Sequence, residues 1–139
     1  MFTLPPRRPR LRWIALGYGV VLLLWTSLED NGVALVTLAG VALMLIAAAF
    51  WLRRRFGGRS IAARDALIGA VLIGAVAGAG SAGATAALML LKVGLHAHVF
   101  PDYPFGMIVD MLRRAPVWAL AGSLAALGVT LALLARGKG

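Results

Sequence analysis

The sequence contains no cysteine, which excludes disulfides, thiolate catalysis, iron–sulfur clusters and cysteine-based zinc sites. Charge is scarce as well: 14% of the 139 residues are Asp, Glu, Lys or Arg, against about a quarter in an ordinary soluble domain. Acids are the scarcest, five against fourteen basic residues. A disordered chain is equally excluded, because disorder requires low hydrophobicity and high charge density. Here 61% of residues are hydrophobic and the mean hydropathy is +0.89. The length admits one domain.

What is present is four long apolar runs without a single Asp, Glu, Lys, Arg or His: Trp13–Leu28, Val33–Leu52, Ala66–Leu91 and Ala115–Ala135. A helix crossing a bilayer needs roughly 20 apolar residues. The first run is slightly short, but Leu11 extends it and the Arg12 stem can reach toward the headgroups. The third is long enough to require tilt or projection. Lipid offers no partner for backbone N–H and C=O groups, so only helices or closed barrels cross it. Barrel strands would alternate apolar and polar residues, which these runs do not. The expected fold is an all-α integral membrane protein with four spans, at about 11–28, 33–52, 66–91 and 115–135. They form a single domain from 11 to 136, between a basic tail (1–10) and a short tail (137–139).

The net charge of +9 is distributed unevenly. Eleven of the fourteen basic residues fall on one side of this arrangement: Arg7 to Arg12, Arg53 to Arg64, and Arg136 with Lys138. Lys92, Arg113 and Arg114 fall on the other, with Glu29, Asp30, Asp102 and Asp110. Lys/Arg excess in short loops marks the cytoplasmic face. Both termini and the Leu52–Ser60 loop are therefore expected inside, in a cell inner (plasma) membrane. Topology accounts for the basic character, with attraction to anionic lipid as a by-product and no nucleic-acid partner. A cleaved signal peptide is disfavoured, because Trp25-Thr26-Ser27-Leu28-Glu29 puts a large ring where cleavage needs small residues.

Met1–Arg10, with three prolines among arginines, is expected to be a mobile tail. Trp13, Trp25, Trp51 and Trp118 are expected as interfacial anchors, with Arg53, Arg54 and Arg55 beside Trp51. Ser27 to Gly32 reads as a tight turn that makes the first two spans antiparallel neighbours, with Asp30 or Asn31 capping the second. Ser60 is the expected cap of the third. That span is rich in small residues, and Ala70, Gly74 and Gly78 form a stripe that allows close backbone approach. Packing within the chain is favoured over self-association through this helix.

Between the third and fourth spans, Asp102 is expected to cap a short outer helix. Its residues Phe105, Ile108, Val109 and Leu112 recur at i, i+3, i+4 and i+7, an amphipathic contact surface at the membrane interface. Asp110 and Arg114 are spaced as an i, i+4 pair.

The best chemical grouping is His96-Ala97-His98 with Asp102 and Tyr103. Histidines at i, i+2 face one way only on an extended chain, where they can share a metal. No third ligand is fixed by spacing, so an interfacial structural role for His96, His98 and Asp102 outweighs a metal site. Glu29 and Asp30 favour the start of the second span through the helix dipole. The polar residues within the spans are hydroxyls: Tyr18, Thr37, Ser81, Thr85, Ser123 and Thr130. Each can return to the backbone of the preceding turn. Proton-coupled carriers place ionisable groups in the membrane, so that class is disfavoured. A dual-topology exporter is disfavoured by the charge asymmetry, and no nucleophile–base pair or phosphate loop supports an enzyme. No cofactor is specified; a quinone, pigment or lipid remains open, and no span carries a histidine for haem.

The leading expectation is a non-catalytic accessory or structural subunit packing against other membrane proteins through the Gly/Ala face of the third span and the outward Lys92–Arg114 segment. The alternative is a small homo-oligomeric transporter, channel or lipid-handling protein. A third reading is an outer-face enzyme using His96, His98 and Asp102.

Overall fold

The computed structural model describes residues 2–3 (backbone), 10–28, 32–96 and 101–136. It is a helical protein with the order β1 (Phe2–Thr3), α1 (Arg10–Thr26), α2 (Val33–Phe56), β2 (Ser60–Ile61), α3 (Ala63–His96), α4 (Phe105–Arg113) and α5 (Ala115–Arg136). Three helices, α2, α3 and α5, are long and apolar enough to cross a membrane. At 17 residues, α1 is about 26 Å long, somewhat under the roughly 30 Å of hydrocarbon.

Helix ends and apolar runs do not coincide. Beyond Leu52, α2 continues through Arg53, Arg54 and Arg55 to Phe56, because arginine is a good helix former and favours the negative end of the dipole. It stops where Gly57 N–H bonds to Arg53 O at 3.1 Å and Gly58 turns to φ +79°. That left-handed backbone suits a residue without Cβ. By the same logic α3 runs on through Lys92 to His96, 34 residues in all and about 51 Å. At the end of α1, the hydroxyls of Thr26 and Ser27 bond to the carbonyls of Leu23 and Leu24, at 2.8 and 2.7 Å.

Several local expectations are corrected. Ser60 does not cap α3; Ser60–Ile61 forms a two-stranded antiparallel ladder with Phe2–Thr3, registering Phe2 with Ile61 and Thr3 with Ser60. Part of the basic tail is thus hydrogen-bonded rather than free. The N-cap of α2 is Gly32, with no side-chain cap bond; Glu29, Asp30 and Asn31 lie outside the described residues. Pro104, not Asp102, occupies the N-cap of α4.

The central element is α3. It packs along α5 on one flank and α2 on another, α4 lies against its C-terminal part, and α1 leans on α2 from outside. Close approach explains the small residues. A Cβ at Gly74 would strike the Gly122 carbonyl and come within 2.8 Å of Ala126 Cβ. One at Gly78 would strike the Trp118 carbonyl, and one at Gly122 the Gly74 carbonyl. Ser123 of α5 donates to Val71 O at 3.0 Å, closing the same seam. Between α2 and α3, Gly40 rests on Thr85, and Gly80 receives the Met44 thioether.

Ser81, Thr85 and Thr130 return their hydroxyls to the carbonyl four residues back, each at 2.8 Å. Tyr18 and Ser123 do not: Tyr18 Oη donates across to Ala39 O at 2.8 Å, tying α1 to α2. Side-chain burial is concentrated at the end where α3 meets α4, which we term the loop end. The opposite end carries Arg53 to Arg64 and is termed the arginine end.

Candidate functional site: the buried cluster at the loop end

The largest fully buried side chains among the described residues meet at this end. Tyr103, Lys92, Met89, Val36 and Thr85 are fully buried. Thr85, Met89, Lys92 and His96 follow one another at intervals of four, three and four on α3, so a single helix face carries them inward. Around that face stand Trp25 from α1, Val36 from α2, Tyr103 from the loop, and Ile108 and Met111 from α4.

Lys92 is the unexpected member. Because it is charged, sequence reasoning ended the third span at Leu91 and left the lysine at the membrane surface. The helix does not end there, and Lys92 has 0% exposure. Its ammonium lies 4.6 Å from the centroid of the Trp25 ring, a geometry in which the negative face of the π-system stabilises a cation. Trp25 is accordingly 8% exposed. It faces the protein interior near the end of α1. The sequence signal that was missed is the i, i+4 register of Lys92 with Leu88 and His96, which continues the buried face past the charge.

The second polar feature joins α3 to the loop. His96 Nδ1 donates to Asp102 Oδ2 at 2.7 Å, with side-chain exposures of 19% and 11%. Asp102 therefore orients an imidazole and fixes the path of the chain into α4. The carboxylate holds one ring nitrogen, the arrangement that positions a base in enzymes and a ligand in metal sites. Among the described residues, however, no group of three His, Asp or Glu side chains comes together to hold a metal. His98 lies outside the described residues.

The outer helix divides its expected contact surface. Ile108 is 3% exposed and Val109 half-buried, whereas Phe105 and Leu112 point away at 74% and 49%. Met111, not Leu112, completes the inward face with Ile108. Asp110 pairs with Arg113 at 3.3 Å rather than with Arg114, whose backbone closes the helix by donating to Met111 O at 3.2 Å.

The remaining residues singled out in the sequence lie elsewhere. Gly74 and Gly78 are occupied by α5, with half-buried Ala70 one turn further toward the arginine end. Any contact through those glycines to another chain would have to displace α5. Trp13 is exposed on α1. Trp118 packs partly against the loop-end cluster. Trp51 is exposed at the arginine end with its ring edge-on to Phe56, centroids 5.8 Å apart. Near it Arg53 is half-buried, and Arg54 and Arg55 are exposed.

Compared with known protein families, with curated proteins and with solved structures, the chain matches none of them. The cluster can be read only through its own chemistry. It cross-ties α1, α3 and the α3–α4 loop, and its sequence-distant members share one enclosed volume.

Proposed function

We propose that this chain is a non-catalytic multi-pass membrane protein acting as an accessory or structural subunit of a larger membrane assembly. It crosses four times, with both ends at the cytoplasmic face of the inner (plasma) membrane. The single observation that carries the subunit reading is the division of α4. Its inner face, Ile108 and Met111, is consumed by the loop-end cluster, while Phe105 and Leu112, seven residues apart on one flank, remain 74% and 49% exposed. An exposed apolar pair on a short, cross-tied helix suits a protein contact.

The four-span reading is supported by parity. Phe2–Thr3 pairs with Ser60–Ile61, a contact that favours an even number of crossings between them. α2 is one of those crossings, and α1 supplies the other. The basic bias of these same segments supports an inside location.

The test uses the natural absence of cysteine. A Phe105→Cys protein carrying a thiol-attached photo-crosslinker in native membranes is expected to trap a second membrane polypeptide. Adducts to lipid alone, together with a lone monomer in mild detergent, would refute the subunit reading. Single cysteines at Ser60 and Pro101 are expected to label from opposite faces.

A second reading, a homo-oligomeric transporter, is favoured by the fully buried Lys92, since ionisable groups within helices of membrane proteins mark conduction or binding paths. Reconstituted protein that carries a solute flux abolished in Lys92→Met would support that reading over the first.

A further inference from the structure

Between α2 and α3, on the arginine half of the bundle, runs an apolar groove of about 350 Å³. The sequence makes it by omission. Ala47 and Ala48 on α2 leave unfilled the space that Leu72, Ile73 and Val76 on α3 border, and Trp51 bounds the mouth. Met44, seated on Gly80, closes the deep end. From Met44 to Trp51 the groove follows two turns of helix, about 10 Å, which is most of the roughly 15 Å half-thickness of a bilayer core.

What lies at the mouth identifies the occupant. The Trp51 ring, which lines the groove, meets the edge of Phe56 at 72° between planes. The Arg55 guanidinium in turn lies 5.6 Å from the Phe56 centroid. Arg53 and Arg54 occupy the same last turn, and Arg59 and Arg64 follow, opposed by one acid, Asp65. An apolar slot of acyl-chain length therefore opens onto a ladder of two aromatic rings and a cluster of guanidiniums. Guanidinium recognises phosphate oxygens by paired N–H donors, and basic clusters next to spans attract anionic headgroups.

We propose that this groove is a binding site for an anionic phospholipid, with one acyl chain between α2 and α3 and its phosphate on Arg54 and Arg55, the two arginines that flank the groove face of α2. Charge complementarity at the mouth selects an anionic phospholipid as the occupant. The site is independent of the α4 contact surface.

The experiment is native mass spectrometry of the full chain from nanodiscs containing equal phosphatidylglycerol and phosphatidylcholine. Retained phosphatidylglycerol is expected to exceed phosphatidylcholine, and the ratio to fall roughly fivefold per arginine changed in Arg54→Gln and Arg55→Gln. Val76 lines the groove and is 68% exposed. Val76→Trp is therefore expected to fill the space and lower retention of both lipids without disturbing the fold. Val117→Trp, equally exposed but on α5, is the control and is expected to leave retention unchanged. Equal retention of the two lipids by the native chain would overturn the headgroup assignment. A preference untouched by Val76→Trp would overturn the groove, leaving only surface charge. A second protein chain crosslinked from Val76→Cys in native membranes would overturn the choice of lipid as occupant.

Discussion

The two ends of the bundle are held together by different means. At the loop end, bulky side chains from three helices and a loop enclose one another: Trp25, Met89, Lys92, Tyr103, Ile108 and Met111. Toward the arginine end the helices touch through what is missing, with Gly74 on Gly122 and Gly78 on the Trp118 carbonyl. α5 accordingly has no buried side chain, although α3 packs along it. The contrast follows from the solvent. In hydrocarbon there is little gain from hiding a leucine, so association depends on close van der Waals approach. Near the loops water is available to be excluded, and an ordinary side-chain core becomes worthwhile.

That comparison can be broken at either end. Trp25→Ala should be the most damaging change, removing about 3–5 kcal/mol by opening a cavity and stripping the ring from the Lys92 ammonium. Equilibrium unfolding in mixed micelles would measure it, and a loss below 1 kcal/mol would mean that the core is not a stabilising unit. At the other end, Gly122→Val should cost about 1–3 kcal/mol through overpacking against the Gly74 carbonyl. The same assay applies, and neutrality would show that α5 can retreat from α3. Next comes Asp102→Asn, which keeps the shape but loses the charge-assisted bond to His96. A loss of about 1 kcal/mol is expected, with faster amide exchange confined to the α3–α4 connection. Smallest is Asp110→Asn: its pairing with Arg113 is solvent-exposed, and such pairs contribute within about 0.5 kcal/mol. A larger effect there would place the outer face of α4 in a buried contact.

The glycine seam was more legible in the sequence than the core. Gly74 and Gly78 carry their spacing openly, and lipid leaves few alternatives to close helix packing. The partner glycine, Gly122, could not be paired with them from one chain, because nothing local records which helix lies opposite. The loop-end cluster was obscured by the rule that found the spans. A charge is a good marker of where hydrocarbon ends, yet it says nothing about where a helix ends. Ending the span at Leu91 leaves Lys92 at the surface, although α3 carries it inward. Asp102 shows a related limit. Its position before Pro104 suits a cap, but its carboxylate found a stronger partner in His96, and only the three-dimensional path of the loop reveals the competition. Phe105 and Leu112 shared a plausible stripe with Ile108, whereas the width of the real contact admits only part of it.

The seam between α3 and α5 also has a consequence for biogenesis. Its two halves are separated by the loop and α4, so during synthesis the notch at Gly74 and Gly78 enters the bilayer before the helix that fills it. Until Ala115–Arg136 arrives, lipid tails must occupy that notch, and their expulsion becomes a late event in maturation. A protein assembled in this order closes this joint only after α3 is in place, so translation interrupted before α5 would leave an inserted intermediate with an open, adhesive flank.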